Sequence, residues 1–172
     1  MHKTNSVTIS ALVPTVRTAK TLYKIIEKNR KEFQPRLDWT YSINSRIDER
    51  KFLLKKYFSK ETEYWVYVWD QIIGCVGIFN IDEQSKSWEV GVRIDKEYSW
   101  HWYITQALKL LEQDNKDISR FTAKIDIHNI KSQHVVENNW YIWEWTLHKY
   151  RYSPYTWKNR TMYIYAKVYN TL

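Results

Sequence analysis

A chain of 172 residues with ordinary apolar content is long enough to bury a sizeable core, and it reads as one domain spanning 1–172. It shows no N-terminal apolar run of signal-peptide type and no membrane-length stretch. With Cys75 as its one cysteine, it also excludes an internal disulfide framework, so a reducing cytoplasm is the expected location. A formal net charge of +8 points to anionic partners: a nucleotide-like cofactor, nucleic acid or the ribosome.

In chain order, Ser6 to Val13 read as a first strand. Pro14 to Phe33 read as a helix in which Leu22, Ile25, Ile26 and Asn29 share a face. A loop through Pro35 and Trp39 leads to a second helix, Arg46 to Ser59, with Phe52, Leu53, Tyr57 and Phe58 apolar. The pattern then changes to strands. Tyr64 to Val68 and Ile72 to Ile81 flank a turn at Trp69-Asp70-Gln71, and a second turn at Glu83 to Lys86 leads into Glu89 to Ile94, an antiparallel meander.

The stretch WEVGVRIDKEYSWHWYITQALKLL, from Trp88 to Leu111, organises the rest. Its strand feeds a loop, Tyr98 to Trp102, and then a helix with Ile104, Ala107, Leu108 and Leu111 at i, i+3, i+4 and i+7. A loop at a helix N-terminus is a ready anion site, because the first backbone N–H groups have no partner within the helix. After it, Phe121, Ala123, Ile125 and Ile127 alternate with polar residues as a half-buried strand. Asn129 to Asn139 read as a short helix with Val135 and Val136 inward. Tyr141 to Tyr150 read as a strand, and the alternation of Met162, Ile164, Ala166 and Val168 as the last one. The expected fold class is α+β, a mixed, mostly antiparallel central sheet flanked by helices.

Two counts are abnormal: Gly appears 3 times and Trp 10 times. Together they approach the share, about 7%, that glycine alone usually holds. Several Trp also fall where backbone chemistry asks for Gly: Trp69 in a tight turn, Trp100 and Trp102 in the anion loop, Trp140 at a helix end and Trp157 before the last strand. The codon UGA is read as Trp in some genetic codes and as Gly in others, so a gene of the second kind translated by the first table would exchange the two. Trp65, Trp69, Trp100, Trp102, Trp140, Trp145 and Trp157 are the candidates for glycine, with Trp39, Trp88 and Trp143 less clear. The alternative is a Trp-rich domain with aromatics packed on strand and helix faces.

With Gly restored at 100 and 102, the central stretch resembles the GNAT N-acetyltransferases of the RimJ/RimL type, the ribosomal-protein-alanine acetyltransferase-like branch. DIHNIKSQHVVENNW with YIWEWTL, and the hairpin YWVYVWDQIIGCVGIF, resemble two further regions of that branch in the same order. The resemblance covers nearly the whole chain and implies the GNAT fold and an acetyl-CoA site without metal. It places Val92, Arg93 and Ile94 along the pantetheine arm through their backbone. It wraps Ser99, Trp100, His101, Trp102, Tyr103, Ile104 and Thr105 around the pyrophosphate, with Arg93, Lys96 and His101 adding positive charge. The superfamily signature positions hold Ser99, Trp102 and Ile104, so the pattern is not kept as it stands.

N-acetyl transfer needs a neutral amine, a positioned thioester and a proton for the departing thiolate. The resemblance assigns Glu89 as base through water, Ser132 as the group facing the thiolate and Asn129 as a cofactor contact, with Tyr141 a further proton-donor candidate. Asn and Ser are equally ordinary helix caps, and Glu89 is equally a structural carboxylate paired with Arg or Lys. The five His, at 2, 101, 128, 134 and 148, show no metal-ligand spacing. The implied reaction is direct acetyl transfer from acetyl-CoA to a primary amine: a protein N-terminal α-amino group, as on a ribosomal protein, or a small amine. The runner-up is a nucleic-acid-binding module built on HKYRYSPYTWKNR, and a third possibility is a decayed GNAT fold without catalysis.

Overall fold

The computed structural model describes residues 7–99 and 101–169. Trp100, and Ser6 at the start of the predicted first strand, lie outside them. Helix starts are set by side-chain caps. Thr15 accepts from the Thr18 N–H at 3.1 Å and opens α1, Val16–Phe33. Ser45 accepts from the Asp48 N–H at 3.2 Å and opens α2, Arg46–Phe58, while Asp48 Oδ2 takes the Ser45 hydroxyl and the Asn44 N–H in return. Between them, Asp38–Ser42 forms a short 3₁₀ helix where only a loop was expected. Two further helices follow, α3, Tyr103–Asp114, and α4, Ile130–Glu137.

The strands are β1, Val7–Ala11; β2, Thr62–Val68; β3, Gln71–Asp82; β4, Ser87–Ile94; β5, Arg120–Asp126; β6, Ile142–Ser153; and β7, Lys158–Val168. They form one sheet in the order β1-β2-β3-β4-β5-β7-β6, antiparallel except between β4 and β5. The mixed, mostly antiparallel sheet is therefore observed. β6 and β7 run further than their alternation predicts, while Ile127 and His128 drop into the turn after β5. β6 is an edge strand, and its register against β7 breaks between Trp143 and Trp145 and again between Leu147 and Arg151.

Successive residues of each strand face opposite sides. Val66 and Val76 pack with Ile104, Leu108 and Leu111 of α3 and Val136 of α4. Trp65 and Cys75, their neighbours in sequence, pack with Ala19 and Leu22 of α1 and Leu53 of α2. The sheet thus lies between two helix pairs. Asn29, the polar member of the predicted α1 face, is 1% exposed and belongs there. It donates to Ile25 O and accepts from the Lys96 N–H, tying α1 to the chain just beyond β4. Of the apolar residues noted on α2, Leu53 is buried, while Tyr57 and Phe58 are exposed at its end. Trp65 and Trp145, two of the candidates for glycine, lie inside strands, as their place in the sequence predicts.

β4 and β5 pair only over Ser87–Glu89 with Arg120–Thr122. β4 stays bonded to β3 as far as Ile94, and β5 to β7 as far as Asp126. Beyond Glu89 the two parallel strands therefore splay apart and open a wedge in the middle of the sheet.

Candidate active site

The wedge has three walls: the β4 edge from Val90 onward, the turn from β5 into α4, and the loop between α1 and α2. A cavity of about 550 Å³ runs through it, lined among others by Val92, Asn129 and Ser132 on one side and by Trp39, Lys56 and Phe79 on the other. A smaller pocket of about 100 Å³ continues between Val92, Ile94, Ser99, Ile104 and Ser132. The backbone edge of β4 that β5 leaves unpaired gives an extended ligand a strand to bond with.

Glu89 sits at the apex, where the splay begins. It is 4% exposed, and its Oε2 accepts from Asn80 Nδ2 at 2.9 Å and from Lys124 Nζ at 2.8 Å. Burial pulls the Lys124 ammonium down. The hydrogen bond and charge of Glu89, with Tyr150 behind them, outweigh this and leave it above the ordinary lysine value. Glu89 is therefore a paired carboxylate that also lines the cavity. Neither Lys124 nor Asn80 was singled out by sequence. Lys124 was legible only as a polar position in β5, and its partner lies 35 residues away.

Asn129 and Ser132 stand together at the start of α4. Asn129 is its N-cap, with Oδ1 accepting from the Ser132 N–H at 3.4 Å, and both residues line both pockets. Capping and cleft-facing are thus properties of the same pair. Val92 and Ile94 line the smaller pocket from β4, with Ser99 and Ile104 from the loop and α3. Trp102 precedes α3 without giving it a side-chain cap and is 62% exposed; His101 stacks on Tyr103 at 5.0 Å. The first N–H groups of α3, through Thr105, precede its first internal bond, Gln106 N–H to Trp102 O.

Two expectations are corrected. Tyr141 is not in the cleft. It is 4% exposed in the core and lines neither pocket, and burial with the Glu112 carboxylate pushes its phenol far up. The Arg93 side chain adds no positive charge for a phosphate. It donates to Glu63 and lies 3.6 Å from Glu49, under the ring of Trp39, so buried carboxylates already match its charge. Lys56 completes this buried group through Glu63 at 2.8 Å. Cys75 beside it is pushed up to about 12 by burial and is packing, as expected.

Arg160, legible in sequence only as the end of the basic stretch HKYRYSPYTWKNR, is buried on β7 and gathers four acceptors. It donates to the carbonyls of Pro35 and Arg36 at 3.1 and 3.2 Å and to Asp38 Oδ2 at 2.5 Å, and it pairs with Asp126 at 3.4 Å. It ties the α1–α2 loop to the end of β5, beside Asn129. Among the described residues, no group of three or more His, Cys, Asp and Glu is placed to hold a metal ion, and no helix is long and apolar enough to cross a membrane.

A sheet split between parallel strands, with a carboxylate at the fork and a helix N-terminus beside the opening, is the architecture of an acyl transferase that takes its acyl group from a coenzyme-A thioester. The acetyltransferase (GNAT) domain family matches residues 13–139, and the chain belongs to it. It is an acetyl-CoA-dependent N-acetyltransferase. Ribosomal-protein-serine acetyltransferase of Escherichia coli (strain K12) is 27% identical over 132 residues, 73% of this chain and 74% of that protein. The fold is shared with Microcin C7 self immunity acetyltransferase MccE, solved with acetyl-CoA and AMP, at TM-score 0.84 and 24% identity, covering 94% of this chain and 92% of that one. It is also shared with RimL, the ribosomal L7/L12 alpha-N-protein acetyltransferase solved with coenzyme A, at TM-score 0.83 and 20% identity, covering 96% of each chain.

Proposed function

We propose that this enzyme acetylates the N-terminal α-amino group of a protein, a ribosomal protein before a small amine, in the cytoplasm. The observation that carries this is the continuity of the larger cavity, which joins the Asn129–Ser132 side of the wedge to the Trp39–Lys56 side past Glu89. A chain terminus entering from one side meets a cofactor arm from the other at the fork. The curated relative, which acts on a ribosomal protein, supports the same acceptor.

Acetyl-CoA supplies the activated acetyl thioester. Val92, Arg93 and Ile94 offer it their backbone edge, and Ser99 to Thr105, with the α3 N-terminus, hold its phosphates. Asn129 orients it from the α4 cap. Glu89 takes the proton that the amine loses, through water, and Ser132 hydrogen-bonds the departing thiolate. Asn80 and Lys124 fix the Glu89 carboxylate at the fork.

The test is mass spectrometry after incubation with acetyl-CoA and three acceptor sets: N-terminal peptides of ribosomal proteins, peptides blocked at the α-amine but carrying lysine, and spermidine. Single acetylation at the α-amine is the expected result, and acetylation of spermidine alone sinks the proposal. Glu89→Gln keeps the shape and removes the base. It lowers kcat by about 10²–10⁴-fold with the acetyl-CoA KM little changed.

A further inference from the structure

Among the described residues, seven other than glycine have positive φ: Lys60, Trp69, Asn80, Lys86, Trp140, Lys149 and Trp157. Three of the seven are tryptophan, and none of the three glycines is in that region. Asn tolerates such a backbone, whereas a bulky side chain there is an outlier. Each Trp also occupies a place with its own glycine chemistry. Trp69, at φ 60°, is the first of two residues linking Val68 to Gln71 across the β2–β3 hairpin, the place that a type II′ turn gives to Gly. Trp140, at φ 67°, closes α4. Its N–H bonds Glu137 O at 3.0 Å and the Tyr141 N–H bonds Val136 O at 3.1 Å, the paired 5→2 and 6→1 bonds of a Schellman motif. Tyr141 and Val136 are both buried in the core cluster, as that motif's hydrophobic contact requires, and Trp140 stands at the C′ position of glycine. Trp157, at φ 57°, ends the four-residue loop between β6 and β7, with its N–H on Ser153 O.

The indoles of Trp140 and Trp157 are 83% and 78% exposed and bury little surface to offset the strain. Four other tryptophans meet aromatic rings or the core, whereas Trp145 on β6 is 66% exposed. Trp39 stacks on Phe52 at 4.7 Å, Trp88 meets Phe121 edge-on, Trp143 meets Tyr163 edge-on, and Trp65 is in the core. The glycines that remain answer another need, close approach. A Cβ on Gly91 would lie 2.7 Å from the Phe79 ring, and one on Gly74 would run into the backbone of Arg93 and Ile94.

We infer that Trp69, Trp140 and Trp157, and with them Trp102 of the cofactor loop, stand at positions that are glycine in the functional enzyme, where the codon is UGA read as glycine. For the three turns this stands on the backbone alone. Trp102 itself has an ordinary backbone, φ −69°, so for it the inference rests on the acetyltransferase reading alone, which puts phosphates against this loop. Glycine there lets the backbone ahead of α3 reach them.

The test needs no substrate for its first arm. Trp69→Gly, Trp140→Gly and Trp157→Gly, singly and combined, are compared with Trp39→Gly and Trp88→Gly by thermal denaturation. Each of the first three raises the midpoint by about 2–5 °C, the triple variant by more, and the two controls lower it. A fall in two or more of the three overturns the inference, as do UGG codons at 69, 140 and 157 in the coding DNA. The second arm is coenzyme-A binding by calorimetry, where Trp102→Gly tightens affinity at least tenfold. Unchanged affinity with stabilised turns overturns the inference for Trp102 alone. Absence of coenzyme-A binding in every variant, with the turns stabilised, counts against the cofactor site and leaves the glycine assignment standing.

Discussion

Arg93 and Glu63 are the buried pair on which the cleft's outer wall rests. Burial pushes the Glu63 carboxyl up, but Arg93 and Lys56 pull it further down, so it ends below the ordinary carboxylate value. A depressed carboxyl contributes stability that is complete above its unfolded pKa, about 4.3, and is lost as pH falls through the folded value. Glu49, 0% exposed, runs the other way: burial raises it, so its contribution favours folding only in acid and is lost as pH rises through its folded pKa. Glu63→Gln leaves Arg93 buried without its closest partner and is expected to cost about 3–5 kcal/mol at pH 7 in urea unfolding. The gap from the parent protein narrows as pH falls from the unfolded carboxylate value through the depressed folded one, where the parent's own Glu63 takes up its proton. Glu89, Asn129 and Ser132 were legible in the sequence because each lies in a short motif. Tyr141 was misplaced because a tyrosine next to a strand looks the same whether it caps a helix end or lines a cleft. The Glu89–Lys124 pair and the Arg160 cluster join residues too distant in sequence for any local pattern to reveal.

At the scale of elements, the loop from α1 to α2 is held by its own turn bonds, by Arg30 of α1 on the Thr40 and Ile43 carbonyls, and by one side chain from β7. Arg160 collects two carbonyls of that loop, the Asp38 carboxylate, and Asp126 at the end of β5. Charge-assisted bonds to a planar guanidinium fix orientation as well as distance. Arg160→Gln is expected to speed amide exchange through residues 34–45, with helix α3 unaffected, by hydrogen-exchange mass spectrometry. It is also expected to raise the acceptor KM more than the acetyl-CoA KM. Arg160→Lys keeps the charge but not the fork and should recover little of either. Helix α3 and strand β5 were read closely from sequence, since amphipathic spacing and alternation are local. The 3₁₀ helix at Asp38–Ser42 was not, because its one turn is too short to show a period and depends on Arg160 for its place.

Across the whole molecule, the sheet is two blocks, β1 to β4 and β5 to β7, whose strands are joined along three residue pairs at the β4–β5 seam. A ligand that bonds to β4 and packs on α4 spans the seam and adds its binding energy to folding, about 2.7 kcal/mol at a concentration one hundred times Kd. Coenzyme A at that level is expected to raise the unfolding midpoint, and adenosine diphosphate, which lacks the arm that enters the wedge, to raise it less at equal concentration. The order of elements and the sheet's mixed character could be read in advance. The splay could not, because it is an absence of pairing between strands separated by a helix. The outer border of the sheet has a consequence of another kind. β6 breaks step with β7 twice, and Lys149, at φ 51°, falls within the second break. A border so interrupted presents no long straight row of amide groups to a neighbouring molecule, so the sheet ends with its own chain and is a poor seed for fibrils.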